Sequence, residues 1–286
     1  MRYRFIQAHE QEYPVRVMCR VLQVSPSGYY RWRQAPVSRR TQANQHLLSE
    51  VARLHQQSRQ RYGSPKLVAA LRQQGIRCGR NRVMRVMRQA GLASRRGRCF
   101  KRTTLVDARQ RHAPNQLQQR FVASAPNQVW LSDLTYIATD EGWLYLAAVL
   151  DLYSRRIIGW AMDAHMTDEL TKCALQRALQ KRKPKAHALL HHSDRGSHYS
   201  SRDYQKLLAD HHIQVSMSGT GNCYDNAPME SFFAQLKLEE VFHQRYPTRQ
   251  AAKTSIFAYI EGFYNPHRLH SALAYRSPVQ FEADSF

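Results

Sequence analysis

The sequence is poor in cysteine and has no long hydrophobic run. Its five cysteines, among 286 residues, form no Cys-x-x-Cys pair, which favours reduced, packed thiols over disulfides or a zinc site. The longest uninterrupted apolar run spans residues 143–150, whereas a membrane helix needs about 20 residues. Charged and amide side chains fill the N-terminus, where a secretory signal would be apolar. We therefore expect a soluble, cytoplasmic protein of about two domains, and no membrane association.

Acidic residues are scarce in the N-terminal part of the chain. Residues 1–120 contain 26 Lys and Arg against four Asp and Glu, whereas residues 121–286 contain 17 of each. All of the net charge of +22 therefore lies in the first region, and 24 of its 26 basic residues are Arg. The planar guanidinium pairs in a bidentate manner with phosphates and with guanine edges. Residues 1–120 are predicted to bind nucleic acid, with an acidic protein partner as the alternative.

The N-terminal part contains two helix-turn-helix patterns. In residues 14–33, two short helices flank a turn, and a longer helix completes a helical region over residues 1–60. The segment 61–95 predicts a second pair, with one helix beginning near Ser64 and another over 80–90, stopped by Gly91. Residues 96–120 have no sustained periodicity and are predicted to be a basic linker that follows the DNA backbone.

The helix over 80–90 has two distinct faces. Val83, Met87 and Ala90 are expected to point towards a core. The polar side chains are predicted to contact DNA as those of a recognition helix do, and they are Asn81, Arg82, Arg85, Arg88 and Gln89. The alternative is an ordinary solvated basic face.

After Pro126 the pattern changes to strands and longer helices. Three strand-like segments form an antiparallel meander, and two further strands alternate with helices, in the order β-β-β-α-β-α-β-α. This order predicts an α/β domain of ribonuclease H type over residues 121–286, with a C-terminal helical extension, preceded by the all-α helix-turn-helix region.

Three acidic residues stand at unusual places in this domain. Asp133 interrupts the most apolar strand, where acids are depleted. Asp194 follows the fourth strand, at the sheet edge where α/β proteins place ligands. Glu230 lies in the first turns of the long helix that begins near Asn226. Carboxylate oxygens suit Mg²⁺ or Mn²⁺, and two such ions support in-line displacement at phosphorus. The three acids are therefore candidates for a phosphoryl-transfer site.

The spacing of these acids and the motifs around them resemble a known family. Sixty residues separate Asp133 from Asp194, and 35 separate Asp194 from Glu230. Together with YGSPKLVAAL, VWLSDLTYI, HHSDRGSHYS, NCYDNAPMESFFAQLKLEE and YIEGFYNPHRLHSALAYRSPVQFE, this pattern resembles insertion-sequence transposases of the OrfB type of the IS-three family. That family has an integrase catalytic core similar to the retroviral one and carries a D,D(35)E signature. The resemblance covers nearly the whole chain.

The resemblance implies functions for individual residues. Asp133, Asp194 and Glu230 are expected to be catalytic and to bind the metal, Mg²⁺ or Mn²⁺, as two ions. Lys237 stands seven residues after the Glu, where the family has Lys or Arg, and is expected to hold a phosphate of the terminal DNA. The alternative for Lys237 is a solvated side chain. Ser132 and His198 depart from the Thr and Gln that are common at their positions.

The resemblance also implies an activity and partners. The expected reaction is DNA cleavage and strand transfer at the element's terminal repeats, in which water and then a DNA 3′-hydroxyl attack without a covalent protein intermediate. Expected partners are target DNA, an OrfA product or OrfA fusion, and further copies of the chain in a nucleoid-associated synaptic complex. Two alternatives stay open: a DNA-binding regulator with an inactive core, and a metal nuclease that does not join strands.

Other polar residues near the acids are interpreted as structural. Asp151 ends the second strand and could be a fourth acid of a ribonuclease H site, but the Glu at the D(35)E position favours a structural role for Asp151, or one that supports the metal-binding acids from behind. His191, His192 and His198 lack the paired Cys/His spacing of a zinc module and are expected to be local hydrogen-bond partners.

Overall fold

The computed structural model describes residues 1–34, 38–95, 113–219 and 223–284. Most of the predicted basic linker, residues 96–112, lies outside the described residues. The helices before the first strand are α1 (Arg2–Ala8), α2 (Val15–Val21), α3 (Pro26–Gln34), α4 (Arg39–Gln57), α5 (Ser64–Gln73) and α6 (Arg80–Gln89). Both predicted helix pairs are present, as α2–α3 and α5–α6. No helix of the described residues is long and apolar enough to cross a membrane.

A five-stranded mixed sheet follows. The strands are β1 (Val129–Thr139), β2 (Gly142–Asp151), β3 (Ile157–Asp163), β4 (Leu190–Ser193) and β5 (Gln214–Met217), in the order β3-β2-β1-β4-β5. The first three form an antiparallel meander, whereas β4 and β5 run parallel to β1. The helices are α7 (Asp168–Arg182), α8 (Ser197–Ser200), α9 (Arg202–Asp210), α10 (Ala227–Glu239), α11 (Arg249–Tyr259) and α12 (Pro278–Ala283). The predicted order and fold class are confirmed.

The two faces of the sheet pack against different helices. Leu131 and Ile137 of β1 share a core with residues of α10 and α11, whereas Trp130 of β1 shares a second core with residues of α7 and α9. This division follows from the alternation of side chains along a strand. Gly159 of β3 permits the close approach of α7, because a Cβ there would lie 2.7 Å from the Ala178 nitrogen.

The fourth strand begins at Leu190, and His187 before it has a left-handed backbone, with a φ of 62°, and donates its N–H to the His212 carbonyl. One detail of α6 differs from the sequence prediction. In α6 the buried residues are Val83, Val86 and Met87, and Ala90 is exposed. The helix ends at Gln89, so Ala90 is its C-cap and leaves the helical stripe.

The second helix-turn-helix unit is packed onto the C-terminal part of the chain. Residues of α4, α5 and α6 share one continuous hydrophobic core with α10, α11 and the sheet. At the junction, the buried Arg61 guanidinium donates to the Glu240 carboxylate and to the Glu239 carbonyl oxygen. The Tyr62 hydroxyl donates to the His267 carbonyl at 2.7 Å. The C-terminal end of α10 is therefore in contact with the helix-turn-helix unit.

Candidate active site

Asp133 lies in β1, and Asp194 directly follows β4, the parallel strand that pairs with β1. In that pairing Val129 lies opposite Leu190 and Leu131 opposite His192. The ladder ends two residues before Asp133 on one strand and two residues before Asp194 on the other. Both acids are partly exposed. Each carboxylate accepts a local backbone N–H, from Leu134 at 2.7 Å and from Gly196 at 3.0 Å, respectively.

A buried tyrosine lies near both carboxylates. The pKa of Tyr199 is raised well above its usual value, first by burial and then by the negative charges of Asp133 and Asp194, among others. Its hydroxyl is buried and has no hydrogen-bond partner among the described residues. Because both charges act on one phenol, both carboxylates lie near the Tyr199 side chain. Tyr199 was not singled out from the sequence, although it lies in the HHSDRGSHYS motif.

Glu230 is positioned by the start of α10. The side-chain amide of Asn226 donates to the Ser132 carbonyl at 3.1 Å, which fixes the helix N-terminus next to Asp133. Glu230 is four residues later and therefore lies one turn along the same face of the helix. Met229, Phe232 and Leu236 are buried and hold the helix against the sheet. The start of α10 therefore lies beside β1, next to the residue that precedes Asp133.

Lys237 lies two turns beyond Glu230 on that helix. Its Nζ is 4.9 Å from the centroid of the Tyr136 ring, within the range of a cation–π contact. Tyr136 is itself on β1, three residues after Asp133. The lysine is therefore at the border of the candidate site, between α10 and β1.

Below the acids, neutral histidines hold the parallel strands together. His191 Nε2 lies 2.7 Å from Ser132 Oγ and 3.0 Å from the Tyr204 hydroxyl, and burial lowers its pKa to about 3. His192 contacts Ser216 and Ser218 at 2.8 and 3.2 Å, and burial lowers its pKa to about 4. His198 contacts Asp168 at 2.7 Å. The prediction that these histidines are local hydrogen-bond partners is confirmed.

Asp225 is a buried carboxylate that sequence reasoning missed. It accepts from Asn115 at 2.8 Å, from Gln119 at 3.0 Å and from the Gly219 N–H at 2.7 Å. These bonds tie residues 113–120, the end of the predicted linker, to the turn that leads into α10. These hydrogen bonds cannot be predicted from a local sequence pattern, because the partners of Asp225 lie up to 110 residues away in sequence.

The carboxylate oxygens suit a hard divalent cation. Within the described ranges, no group of three His, Cys, Asp or Glu side chains is close enough to hold a metal ion. Mg²⁺, however, usually takes only one or two protein carboxylates and completes its shell with water and phosphate oxygens. Two carboxylates such as those of Asp133 and Asp194 meet that requirement.

Asp151 ends β2, near the start of β1. It pairs with Trp130, three residues before Asp133, and its buried carboxylate accepts the N–H groups of Asn127 and Tyr153 at 2.9 and 3.0 Å. Burial raises its pKa to about 6. These bonds account for Asp151 as a structural carboxylate.

The candidate DNA-contacting residues of α6 fall into two groups. Arg82 is half-buried, and its Nε donates to the Asn44 side chain of α4 at 3.0 Å, so it holds the two helices together. The other four are exposed, and they are Asn81, Arg85, Arg88 and Gln89.

The sheet order, together with the helices before it, defines a protein with an integrase-type core and a helix-turn-helix-like domain. Family models agree with both parts. Two models described as "Integrase core domain" match residues 123–223 and 230–286, and one described as "HTH-like domain" matches residues 42–99.

Curated relatives are similar over almost the full length. Transposase InsF for insertion sequence IS3A, from Escherichia coli (strain K12), is 44% identical over 287 residues, covering 99% of this chain and 98% of the relative. The insertion element IS600 uncharacterized 31 kDa protein of Shigella sonnei is 46% identical over 264 residues, covering 92% and 97%. The chain therefore belongs to the IS3 family of insertion-sequence transposases, whose function is DNA transposition.

Similarity to solved structures is weaker. The simian T-cell lymphotropic virus intasome in complex with PP2A regulatory subunit B56 gamma matches 81% of this chain and 74% of its own, with 14% identity and a TM-score of 0.47. The HTLV-2 integrase catalytic core domain in complex with magnesium, in its trimeric form, matches 56% and 99%, with 16% identity and a TM-score of 0.43. The fold assignment rests on the sheet topology and the family models.

Proposed function

We propose that this transposase cleaves and joins DNA through Asp133, Asp194 and Glu230, which bind divalent cations, Mg²⁺ or Mn²⁺, as a pair of ions. The observation that carries the proposal is the β1–β4 pairing, which ends two residues before Asp133 on one strand and two residues before Asp194 on the other. The charge of both acids on Tyr199 and the anchoring of α10 at Ser132 support it.

The chain's own residues have separable tasks in this reaction. Bound cations would supply Lewis acidity to the attacking and leaving oxygens of an in-line displacement. The three carboxylates hold those cations, and Lys237 holds a DNA phosphate by charge. In the first step water attacks the phosphorus and the bond to the 3′-oxygen breaks. In the second, the freed 3′-hydroxyl attacks a target phosphorus and displaces the target strand's 3′-oxygen.

We also propose that the N-terminal region recognises the element's terminal repeats. The exposed polar stripe of α6, with Asn81, Arg85, Arg88 and Gln89, faces the major groove in this proposal. Arg82 supports the stripe from behind through Asn44. Because arginine contacts to phosphate release counterions, binding should weaken steeply as salt is raised.

The partners in this proposal follow from the reaction. Synapsis of two element ends implies at least two copies of the chain in one complex, so we propose a homo-oligomer on DNA. We further propose that an OrfA product, separate or fused to the chain, adds DNA binding and multimerisation. The complex would act in the cytoplasm, on the nucleoid.

A joining assay tests the proposed reaction. Purified protein, with and without the OrfA product, is incubated with Mg²⁺ or Mn²⁺ and labelled DNA from either side of its own gene. We expect joined products that need the metal and are lost in Asp194→Asn. Asp151→Asn is the matched control, because Asp151 is a carboxylate of the same sheet that faces backbone donors. Joining that survives in Asp194→Asn would remove this acid from the site.

Two other outcomes identify the alternatives. Metal-dependent cleavage without joining, in the presence of OrfA product, would assign a nuclease. Binding without any strand breakage under the same conditions would assign a regulator with an inactive core.

A further inference from the structure

Two large aromatic side chains are exposed on the β1–β2 hairpin. Tyr136 and Trp143 are 52% and 50% exposed. Their ring centroids are 4.9 Å apart with an interplanar angle of 79°, an edge-to-face pair. They are diagonal neighbours, since Tyr136 lies opposite Tyr145 and Ala138 opposite Trp143. Covering exposed aromatic surface with a partner lowers the free energy, so the pair is a candidate contact surface.

This pair borders the candidate active site. Tyr136 follows Asp133 by three residues, about 10 Å along an extended strand, and alternation turns the two side chains to opposite faces of the sheet. β4 pairs with β1 only over residues 129–131, so beyond those residues β4 does not cover β1. Lys237 of α10 spans this edge, with its Nζ 4.9 Å from the Tyr136 ring. The acids, the lysine and the rings therefore follow one another around the edge of β1.

The charges around the rings favour an anion. Arg249 donates from Nε to the Trp143 carbonyl at 3.0 Å, and the largely exposed Arg245 pairs with Asp140 at 3.1 Å. Glu141 accepts the Arg249 backbone N–H at 2.8 Å. Two cationic side chains therefore contact the aromatic pair directly, Arg249 at the Trp143 backbone and Lys237 at the Tyr136 ring. The ligand must therefore offer both negative charge and flat apolar faces.

We propose that Tyr136 and Trp143 form a stacking surface for unpaired nucleobases of the DNA strand whose phosphates pass Lys237 on the way to the acids. This inference rests on the proposed function, because it places the reacting strand at Asp133, Asp194 and Glu230. Aromatic side chains stack on bases of any sequence, but only bases outside a duplex offer their faces. The surface therefore selects frayed or single-stranded DNA ends.

A second copy of the chain is a poorer occupant for this surface. Stable protein interfaces bury about 1,200–2,000 Å², far more than two half-exposed rings provide. The cation beside Tyr136 and the continuity with the acids favour nucleic acid instead.

Binding measurements on the full chain test this inference. Two labelled DNAs share one duplex, and one of them carries three additional unpaired nucleotides at its 3′ end. Affinity is measured by fluorescence anisotropy in EDTA, without divalent metal. We expect the overhang to bind about tenfold more tightly than the blunt end, and Tyr136→Ala and Trp143→Ala to remove that preference.

Matched variants separate stacking from general effects. Tyr136→Phe keeps a ring and should retain the preference. Phe257→Ala removes an aromatic of similar exposure, 54%, on α11, and should also retain it. Melting temperatures of all variants should match the wild type, because both rings are on the surface. The overhang should quench tryptophan fluorescence in the wild type. This quenching should be absent in Trp143→Phe.

The readout is independent of catalysis. Repeating it in Asp194→Asn should give the same preference, so a failure of the joining assay does not alter this result. Equal affinity for blunt and overhanging DNA in the wild type would overturn the inference. A preference that survives in both alanine variants would also overturn it. Self-association that is lost in Tyr136→Ala, with DNA binding unchanged, would assign the rings to a second copy.

Discussion

The two helix-turn-helix units of the N-terminal region are built into the molecule in different ways. The first, α1–α3, has a small core of its own, whose buried members are Ile6, Met18, Cys19 and Tyr29. The second, α4–α6, shares a core with α10, α11 and the sheet. The hydrophobic core that positions α10 therefore also fixes the position of the second unit. Among the described residues, the buried core of the first unit is separate from it.

The boundary between the basic and the charge-balanced parts of the chain does not coincide with the boundary between its packed units. The excess positive charge lies in residues 1–120, whereas residues 121–286 are balanced. DNA binding and chemistry are therefore assigned to different residues, even though α4–α6 and the catalytic core are one packed body. Variants of the acids and of α6 test these two assignments separately.

The largest effect is expected from the acids. Asp133→Asn and Glu230→Gln should each reduce strand joining by about 10³-fold or more, because an amide is a poor ligand for a hard cation. Affinity for terminal-repeat DNA should stay within about twofold, since these residues are not part of the exposed polar stripe of α6. Joining rates and gel-shift affinities, measured on the same preparations, check these two expectations. A parallel loss of DNA binding would contradict the assignment of binding and chemistry to different residues.

The packed junction should be the next most sensitive place. Arg61→Met leaves the buried Glu240 carboxylate without its guanidinium partner, and removing one member of a buried ion pair costs about 3–5 kcal/mol. Urea unfolding should show that loss. Arg72→Met on α5 is the control, because Arg72 is exposed, and it should change stability by less than about 0.5 kcal/mol. An Arg61→Met protein as stable as the control would show that the junction contributes nothing.

Acid should destabilise the catalytic core more than α1–α3. Burial lowers the pKa of His191, His192 and His270 to about 3, 4 and 2, respectively. In the unfolded state these three histidines take up protons near pH 6.5, whereas in the folded state they stay neutral to a much lower pH. Their contribution to the free energy of unfolding is therefore fully present above pH 6.5 and is lost as the pH falls towards 4. Asp151, with a pKa raised to about 6, opposes this trend as it protonates. We expect a net loss of a few kcal/mol between pH 7 and 4.5.

Hydrogen exchange at several pH values measures this difference. Amides of β1 and β4 should lose protection as the pH falls, after correction for the intrinsic exchange rate. Those of α2 and α3 should change less, because no buried histidine is among the described residues of α1–α3. Equal loss in both regions would contradict the assignment to the three histidines.

The smallest effects are expected on the polar face of α6. Arg85→Ala and Arg88→Ala should each weaken DNA binding by about 1–3 kcal/mol if the side chain contacts a base, and should lower the salt slope by about one if it contacts a phosphate. Joining at saturating DNA should persist. Arg72→Ala, on the neighbouring helix α5, is the control. Unchanged affinity in both α6 variants would exclude this stripe from the DNA interface.

Sequence predicted the parts that depend on local patterns. Alternation and helical periodicity gave the strand order and α10, and Asp133 was conspicuous because an acid interrupts an apolar strand. Sequence did not predict the partners of Arg61 or Asp225, since Arg61 and Glu240 are 179 residues apart. Such pairs depend on how distant elements pack, which no local window contains. The end of α6 at Gln89, which exposes Ala90, was also missed, because the 3.6-residue period does not mark where a helix stops.

Metal-directed cleavage of the protein chain tests the central claim most directly. Fe²⁺ is substituted for Mg²⁺, and ascorbate with peroxide generates hydroxyl radicals that cut the backbone next to the bound ion. The account predicts cuts near residues 133, 194 and 230, all suppressed by excess Mg²⁺ and absent in Asp194→Asn. Cuts that cluster elsewhere, or that persist in Asp194→Asn, would contradict a shared metal site at these three acids.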